Sequence, residues 1–318
     1  MPIDADLFKC FNECLCCCNE KLEKKRTASS IRTYCYNLCW IACRMDGFSE
    51  TEIPPAEDII NYMEENQIPD KRRQSTYSSL KVLLNAKGLD AESKKFSIPL
   101  TECKRRLQSI TDKQERTAKQ KANWVEVACL KRHAKELRDE VTAYDKGRLW
   151  TKDEYAKAQL AFILAFHLKY PIRRDLCTVK YNEPGNTEGN NVDLQTRKVT
   201  FKQHKLTRYG KVFEFTLDRN QWRLMQLLRK QHALRGIKSG NLILGRYWKP
   251  LNPNAFTNWM VREMGKLDSC KGKRVGCLAI RHSVITHHHR NSKKLQKMKD
   301  FAYCCMHTLT TNMEYRVL

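Results

Sequence analysis

A chain of 318 residues is long enough for two domains with separate cores. Its 59 Lys and Arg against 35 Asp and Glu leave a formal net charge of +24 spread along the whole length, which calls for a polyanionic partner. With 41% hydrophobic residues, 9% aromatic residues and only 12 Gly and 9 Pro, the composition excludes a disordered basic tail and favours helices.

No stretch holds eighteen apolar residues, and the start, MPIDADLFKCFNECLCCC, lacks a basic segment followed by an apolar run, so neither a membrane span nor a secretion signal is expected. Fifteen cysteines are therefore expected to be reduced thiols inside the cell, in the nucleus or otherwise the cytoplasm. Residues 1–21 form a Cys-rich arm in which Cys10, Cys14, Cys16, Cys17 and Cys18 crowd too tightly for the paired C-x-x-C arrangement of zinc modules. No metal is assigned to them, and their role stays open.

Residues 22–103 read as a small helical bundle. From Thr27, the sequence ASSIRTYCYNLCWIACRM spaces Ile31, Cys35, Leu38, Cys39 and Ala42 as one helix face, with Thr27, Ser29 and Ser30 as candidate caps. A second helix is expected near Ala56 behind Pro54 and Pro55, and a third from about Ser75 to a Gly stop. The segment RRLQSITDKQERTAKQKAN has almost no large apolar side chains, which predicts a linker over 104–117 and a second domain over 118–318.

That second domain opens on a charged helix with Trp124, Val127, Leu130, Ala134 and Leu137 on one face. A strongly apolar helix, DEYAKAQLAFILAFHLKY, follows, and then VDLQTRKVTFKQ and GKVFEFTLD alternate as the strands of a hairpin. Asp218 is placed to cap a helix carrying Trp222, Met225 and Leu228, and two further helices are expected over Asn254–Leu267 and Leu278–His289. The expected fold is mainly α with a small antiparallel β-sheet.

Four segments carry chemistry. PIRRDL holds Arg173 and Arg174 before Asp175; the basic turn HKLTRYGK holds Lys205, with Lys202, Arg208 and Lys211 around it; LAIRHSVITHHHR holds Arg281 and His282; and CMHTLTTNMEY holds His307 and Tyr315. Arginine forks suit nonbridging phosphate oxygens, and a tyrosine phenol is both a nucleophile and a good leaving group, so that a phosphotyrosine bond can be attacked again by a hydroxyl. Singly, each residue has a plainer reading. His307 can be a core histidine or a metal ligand with Cys304 and Cys305. His287, His288 and His289 point in different directions from a helix and read as surface or DNA-facing rather than as one metal site.

The ordered set, Arg, Lys, Arg-His, His, Tyr, resembles the tyrosine recombinase (integrase) family, closer to the type found in eukaryotic mobile elements and large DNA viruses. There are departures. Tyr315 follows His307 by eight positions, one fewer than the commonest spacing; Met306 stands where a small residue is usual; and Leu278 replaces the first histidine of the usual H-x-x-R-H box. The resemblance implies an N-terminal core-binding domain and a C-terminal catalytic domain that cleave and rejoin double-stranded DNA through a 3′-phosphotyrosine, as a tetramer on DNA, with no cofactor, metal or ATP. It implies Tyr315 as nucleophile, Arg281 and one of Arg173 and Arg174 (Arg173 is favoured) on the phosphate, Lys205 as proton donor to the leaving oxygen, and His307 as a further donor. His282 and the other arginine take supporting roles, and Lys202, Arg208 and Lys211 contact DNA. Two alternatives stay open: relaxation of DNA in the manner of type IB topoisomerases, or a DNA-binding protein that has lost catalysis along with the histidine replaced by Leu278.

Overall fold

The computed structural model describes residues 4–20, 26–181, 189–207, 210–291, 295–307 and 309–314, and the chain divides into two compact units between Lys113 and Gln114. The first unit contains α1 (Ala5–Glu20), α2 (Ala28–Ala42), α3 (Ala56–Glu65), α4 (Asp70–Ala86), α5 (Asp90–Lys95) and α6 (Ser97–Asp112). Its core is the set of stripes these helices turn inward: Phe11 and Leu15, then Ile31, Cys35, Leu38 and Cys39, then Ile59 and Met63, then Leu80, Leu83 and Leu84. The Thr27 hydroxyl caps α2 by accepting from the Ser30 amide.

Three expectations change here. Residues 5–20 are a packed helix rather than an arm, because Phe11 and Leu15 give it an apolar face to bury. α4 begins at Asp70, five residues before Ser75: Pro69 precedes it, and a bidentate pair from Arg106 (2.7 and 2.8 Å) anchors the Asp70 carboxylate at the helix start. Residues 104–112, expected to be linker, continue α6, which buries only Leu100 and Cys103 and so needs few apolar residues to be held. All fifteen cysteines are free thiols, and burial pushes Cys35 up to about 11 and Cys39 up to about 12, so both are unreactive packing groups.

The second unit contains α7 (Ala118–Ala122), α8 (Val127–Ala143), α9 (Lys152–Lys169), β1 (Lys180–Tyr181), β2 (Asn191–Val192), β3 (Lys198–Phe201), β4 (Phe213–Thr216), α10 (Arg219–Leu234), α11 (Pro253–Met264), α12 (Cys277–Asn291), α13 (Leu295–Cys304) and α14 (Leu309–Glu314). α9 is its centre. It is apolar nearly all round because α8, α10, α11 and α12 pack on different sides of it. Its start is fixed by a capping box between Thr151 and Glu154, and that of α10 by one between Asp218 and Gln221.

The sheet has the order β1-β2-β3-β4. The β2–β3 and β3–β4 pairs are antiparallel, with Val199 opposite Phe215 and Phe201 opposite Phe213, but β1 runs parallel to β2. The sheet is thus mixed, not antiparallel throughout. β1 and β2 are two residues each, too short to show a period in sequence, and β1 is held from its other side by the Tyr181 amide bonding the Gly240 carbonyl at 2.7 Å. Among the described residues no helix is long and apolar enough to cross a membrane.

Candidate active site

α12 turns Ile280, Val284 and Ile285 into the core, and the same face carries Arg281, which is only 1% exposed. An unpaired guanidinium that deep would be prohibitively costly, so its donors must be met. Nη1 donates to the Pro171 carbonyl at 2.5 Å, Nη2 donates to the Cys305 carbonyl at 2.8 Å, and Nη2 also bonds Nε2 of His307. These partners come from two distant places: the chain just after α9 and the chain just after α13.

Arg173 arrives by the first route. Behind α9, Ile172 is fully buried and pins the backbone, which leaves Arg173 half-buried immediately before a 3-10 turn, Arg174–Thr178. Its Nη2 reaches His307 Nε2 at 3.3 Å. Arg174 is exposed and donates instead to Asn254 Oδ1 at the start of α11, at 2.7 Å. Of the two candidates, then, Arg173 is the one brought beside Arg281 and His307.

His307 arrives by the second route. Behind α13 the backbone turns through Met306 at φ +55°, and the His307 amide bonds back to the Ala302 carbonyl at 3.0 Å. This left-handed position gives a physical reason for a small residue there, and Met306 occupies it with its side chain buried. Because His307 Nε2 faces two guanidinium donors it acts as acceptor, which puts the ring proton on Nδ1. Burial, reinforced by the charges of Arg281, Arg173 and Lys205, holds the imidazole far below its usual range, at about 2. His307 is therefore neutral and accepts from both arginines.

Lys205 is exposed in the turn between β3 and β4, and its charge is among those that bear on His307. Lys202 is half-buried and Lys211 exposed at the two feet of that turn. Burial raises the Asp175 carboxyl above its ordinary range, against the opposing pull of the Arg173 and Arg281 guanidinium groups. Beneath the arginines lies His167, fully buried, whose Nδ1–H donates to the Ile163 carbonyl at 2.9 Å and whose pKa burial lowers to about 4. Sequence reasoning missed His167, because on an apolar helix a histidine carries no distinguishing pattern.

A groove of about 630 Å³ opens over this cluster, lined by Arg173, Arg174, Arg281 and His282 together with Trp124 and Leu278. His282 is half-buried on its wall, and Leu278, one turn earlier on α12, is 59% exposed to it. Lys119 and Arg274 add positive charge to the rim. The expectation that His287, His288 and His289 all face outward is corrected: His287 is exposed, but His288 stacks on Phe301 with ring centroids 3.7 Å apart, and His289 is buried and bonded through Nε2 to Asn312 Oδ1 at 2.6 Å. That last bond ties α14 to α12. Tyr315, which follows α14 directly, and Arg208 lie outside the described residues. Among the described residues no three His, Cys, Asp or Glu side chains assemble into a group that could hold a metal ion.

No protein-family model matches the chain, and no curated protein matches it. Among solved structures it is similar to the integrase of the Tn1549 transposon in complex with a circular intermediate DNA and in complex with transposon right end DNA. Each is 11% identical with a TM-score of 0.58, covering 97% of this chain and 95% of that one. A further structure of that integrase with circular intermediate DNA gives 12% identity and a TM-score of 0.56 over the same shares. At such identity the likeness speaks for architecture, and what it establishes is that this mostly helical chain with its small mixed sheet has the fold of tyrosine recombinase catalytic domains.

Proposed function

We propose that the protein is a tyrosine recombinase that cleaves and rejoins double-stranded DNA through a 3′-phosphotyrosine intermediate. The observation that carries this reading is that Arg173 and Arg281, from two separate segments, line one cationic groove and both reach Nε2 of His307, which comes from a third. Two guanidinium groups at hydrogen-bonding distance of one acceptor are an arrangement made for a polyoxygen anion, and preorganised cations aimed at developing charge are the largest single contribution available to a metal-free phosphoryl transfer.

In this mechanism a phosphodiester displaces His307 Nε2 as the shared acceptor, and both arginines turn their donors to the nonbridging oxygens. The Tyr315 phenol attacks phosphorus in line with O5′ and releases its proton to water, and Lys205 gives a proton to O5′ as the P–O5′ bond breaks. The ester stores the bond energy, so a hydroxyl of a second DNA end can attack it without ATP. Each protomer supplies one tyrosine, so exchange between two duplexes requires several protomers assembled on DNA, four in the full reaction. His282 borders the phosphate site, and Arg174, Lys202, Arg208 and Lys211 contact the backbone on either side of it.

The test is a duplex nicked next to the cleavage site, which loses the small leaving fragment and traps the covalent complex. Wild-type protein is expected to form an adduct stable in denaturant, and Tyr315→Phe none. A second reading has its own observation: the exposed apolar Leu278 stands where a proton-handling group is expected, and a chain that binds DNA without cutting it would tolerate that substitution. Retention of duplex binding with no adduct from wild-type protein on any nicked substrate it binds would establish that reading instead.

A further inference from the structure

We propose that His204 is the positioning residue that holds Lys205 over the reacting phosphate, an inference that rests on the reading of Lys205 as the proton donor. The turn between β3 and β4 runs from Lys202 to Lys211, and a loop of that length carrying a flexible lysine would on its own leave the ammonium group poorly placed. The His204 ring closes it. Its Nε2–H donates to the Lys211 carbonyl at 2.9 Å on the returning limb, and its Nδ1 accepts from the Leu206 amide at 3.1 Å on the outgoing limb, one residue past Lys205. A carbonyl only accepts and an amide N–H only donates, so the two bonds assign the donor role to Nε2 and the acceptor role to Nδ1.

The backbone of the same residue is held as firmly as its ring. The His204 amide donates to Thr207 Oγ1 at 2.7 Å, and that hydroxyl donates to the Lys202 carbonyl at 2.6 Å. The ring also packs edge-on against Phe213, buried at the start of β4, with centroids 5.1 Å apart. Lys205 is thus flanked on both sides by atoms that His204 holds, and the turn is fastened to the sheet through Phe213.

The clamp is connected to the arginine side of the site. Asn190, only 4% exposed, accepts from the Gln203 amide at 2.8 Å and donates to the Gln203 carbonyl at 2.8 Å and to Thr178 Oγ1 at 2.7 Å. Thr178 ends the 3-10 turn that Arg173 precedes. Hydrogen bonds through Asn190 therefore join Thr178, at the end of the turn that Arg173 precedes, to Gln203, the residue before His204, and tie the Lys205 turn to the arginine side of the site.

A leaving-group substitution separates positioning of the acid from general support of the fold. In a duplex whose bridging 5′ oxygen at the cleavage site is replaced by sulfur, the departing group is a thiolate, with a pKa near ~8.5, which needs no proton donor. Single-turnover cleavage of the oxygen and sulfur duplexes is measured for wild type, His204→Ala, His204→Asn and Lys205→Ala. His204→Ala is expected to slow cleavage of the oxygen duplex by about 10²-fold, the cost of a misplaced catalytic group, and the sulfur duplex by less than about threefold. His204→Asn, whose Oδ1 can still accept from the Leu206 amide, is expected to fall between wild type and His204→Ala on oxygen. If sulfur rescues Lys205→Ala but not His204→Ala, the positioning role of His204 is overturned while Lys205 stands. If Lys205→Ala slows both duplexes equally, the reading of Lys205 itself fails and this proposal with it.

Discussion

Replacing Arg281 by alanine should damage the fold and the chemistry by separable amounts. The side chain is 1% exposed and its two nitrogens serve the Pro171 and Cys305 carbonyls, so truncation strands both oxygens in the interior. Each buried carbonyl without a donor costs roughly 1–3 kcal/mol. Relief of the buried charge returns part of that, leaving about 2–4 kcal/mol of net destabilisation. For a unit of this size each kcal/mol moves the melting temperature by about 2–4 °C, so a fall of roughly 5–15 °C is expected in a thermal melt. On the chemical side, loss of a preorganised donor to a developing oxyanion costs on the order of 10²–10³ in rate. The two are distinguished by single-turnover cleavage of the nicked duplex well below the lowered melting temperature, with duplex binding measured in parallel. Arg281→Lys keeps the charge but cannot fork to two carbonyls and a phosphate, and should recover some stability and little rate. Wild-type cleavage by a folded Arg281→Ala protein would falsify the placement of this guanidinium at the phosphate, and an unchanged melting temperature would refute the carbonyl bonds.

Arg173→Ala should slow cleavage by about 10²-fold with binding largely kept, whereas Arg174→Ala, which removes an exposed contact to Asn254, should weaken binding a few-fold and spare the rate; the reverse pattern in cleavage and filter-binding measurements would exchange the two arginines. Stability should fall with acid. His307 is held at about 2, and His167 and His232, a buried residue in the last turn of α10, at about 4 each, all by burial first. Their folded values lie below the unfolded one near ~6.5, so the stability from keeping them neutral is fully present above that pH and is lost as pH falls toward the folded values. Near pH ~5 the unfolded chain binds a proton at each that the folded chain does not, a loss of about 2 kcal/mol apiece. Urea midpoints that do not change between pH ~7.5 and ~5 would contradict the burial of these rings.

The helices α2, α3, α8, α9, α10, α11 and α12 were legible because burial leaves a period: Ile31, Cys35, Leu38 and Cys39 recur as a helix face must, and Thr27 and Asp218 mark starts by a chemistry that needs only the next three residues. The ordered segments around Arg173, Lys205, Arg281 and His307 were legible for a similar reason, since each is a local combination of residue types. Tertiary structure alone decided what those segments do to one another. Arg173 and His307 meet across 134 positions and Arg281 and Pro171 across 110, and nothing near either residue in sequence records the partner. The contact of Arg173, and not Arg174, with His307, the burial of Arg281, the neutral state of His307 and the parallel pairing of β1 all follow from such contacts. So do the continuation of α6 to Asp112, which Cys103 and the Arg106–Asp70 pair secure, and the roles of Asn190 and His204 in closing the Lys205 turn. Periodicity and capping act within a few residues and are written in the chain; desolvation and the sharing of one acceptor by two cations exist only once distant segments have been packed together.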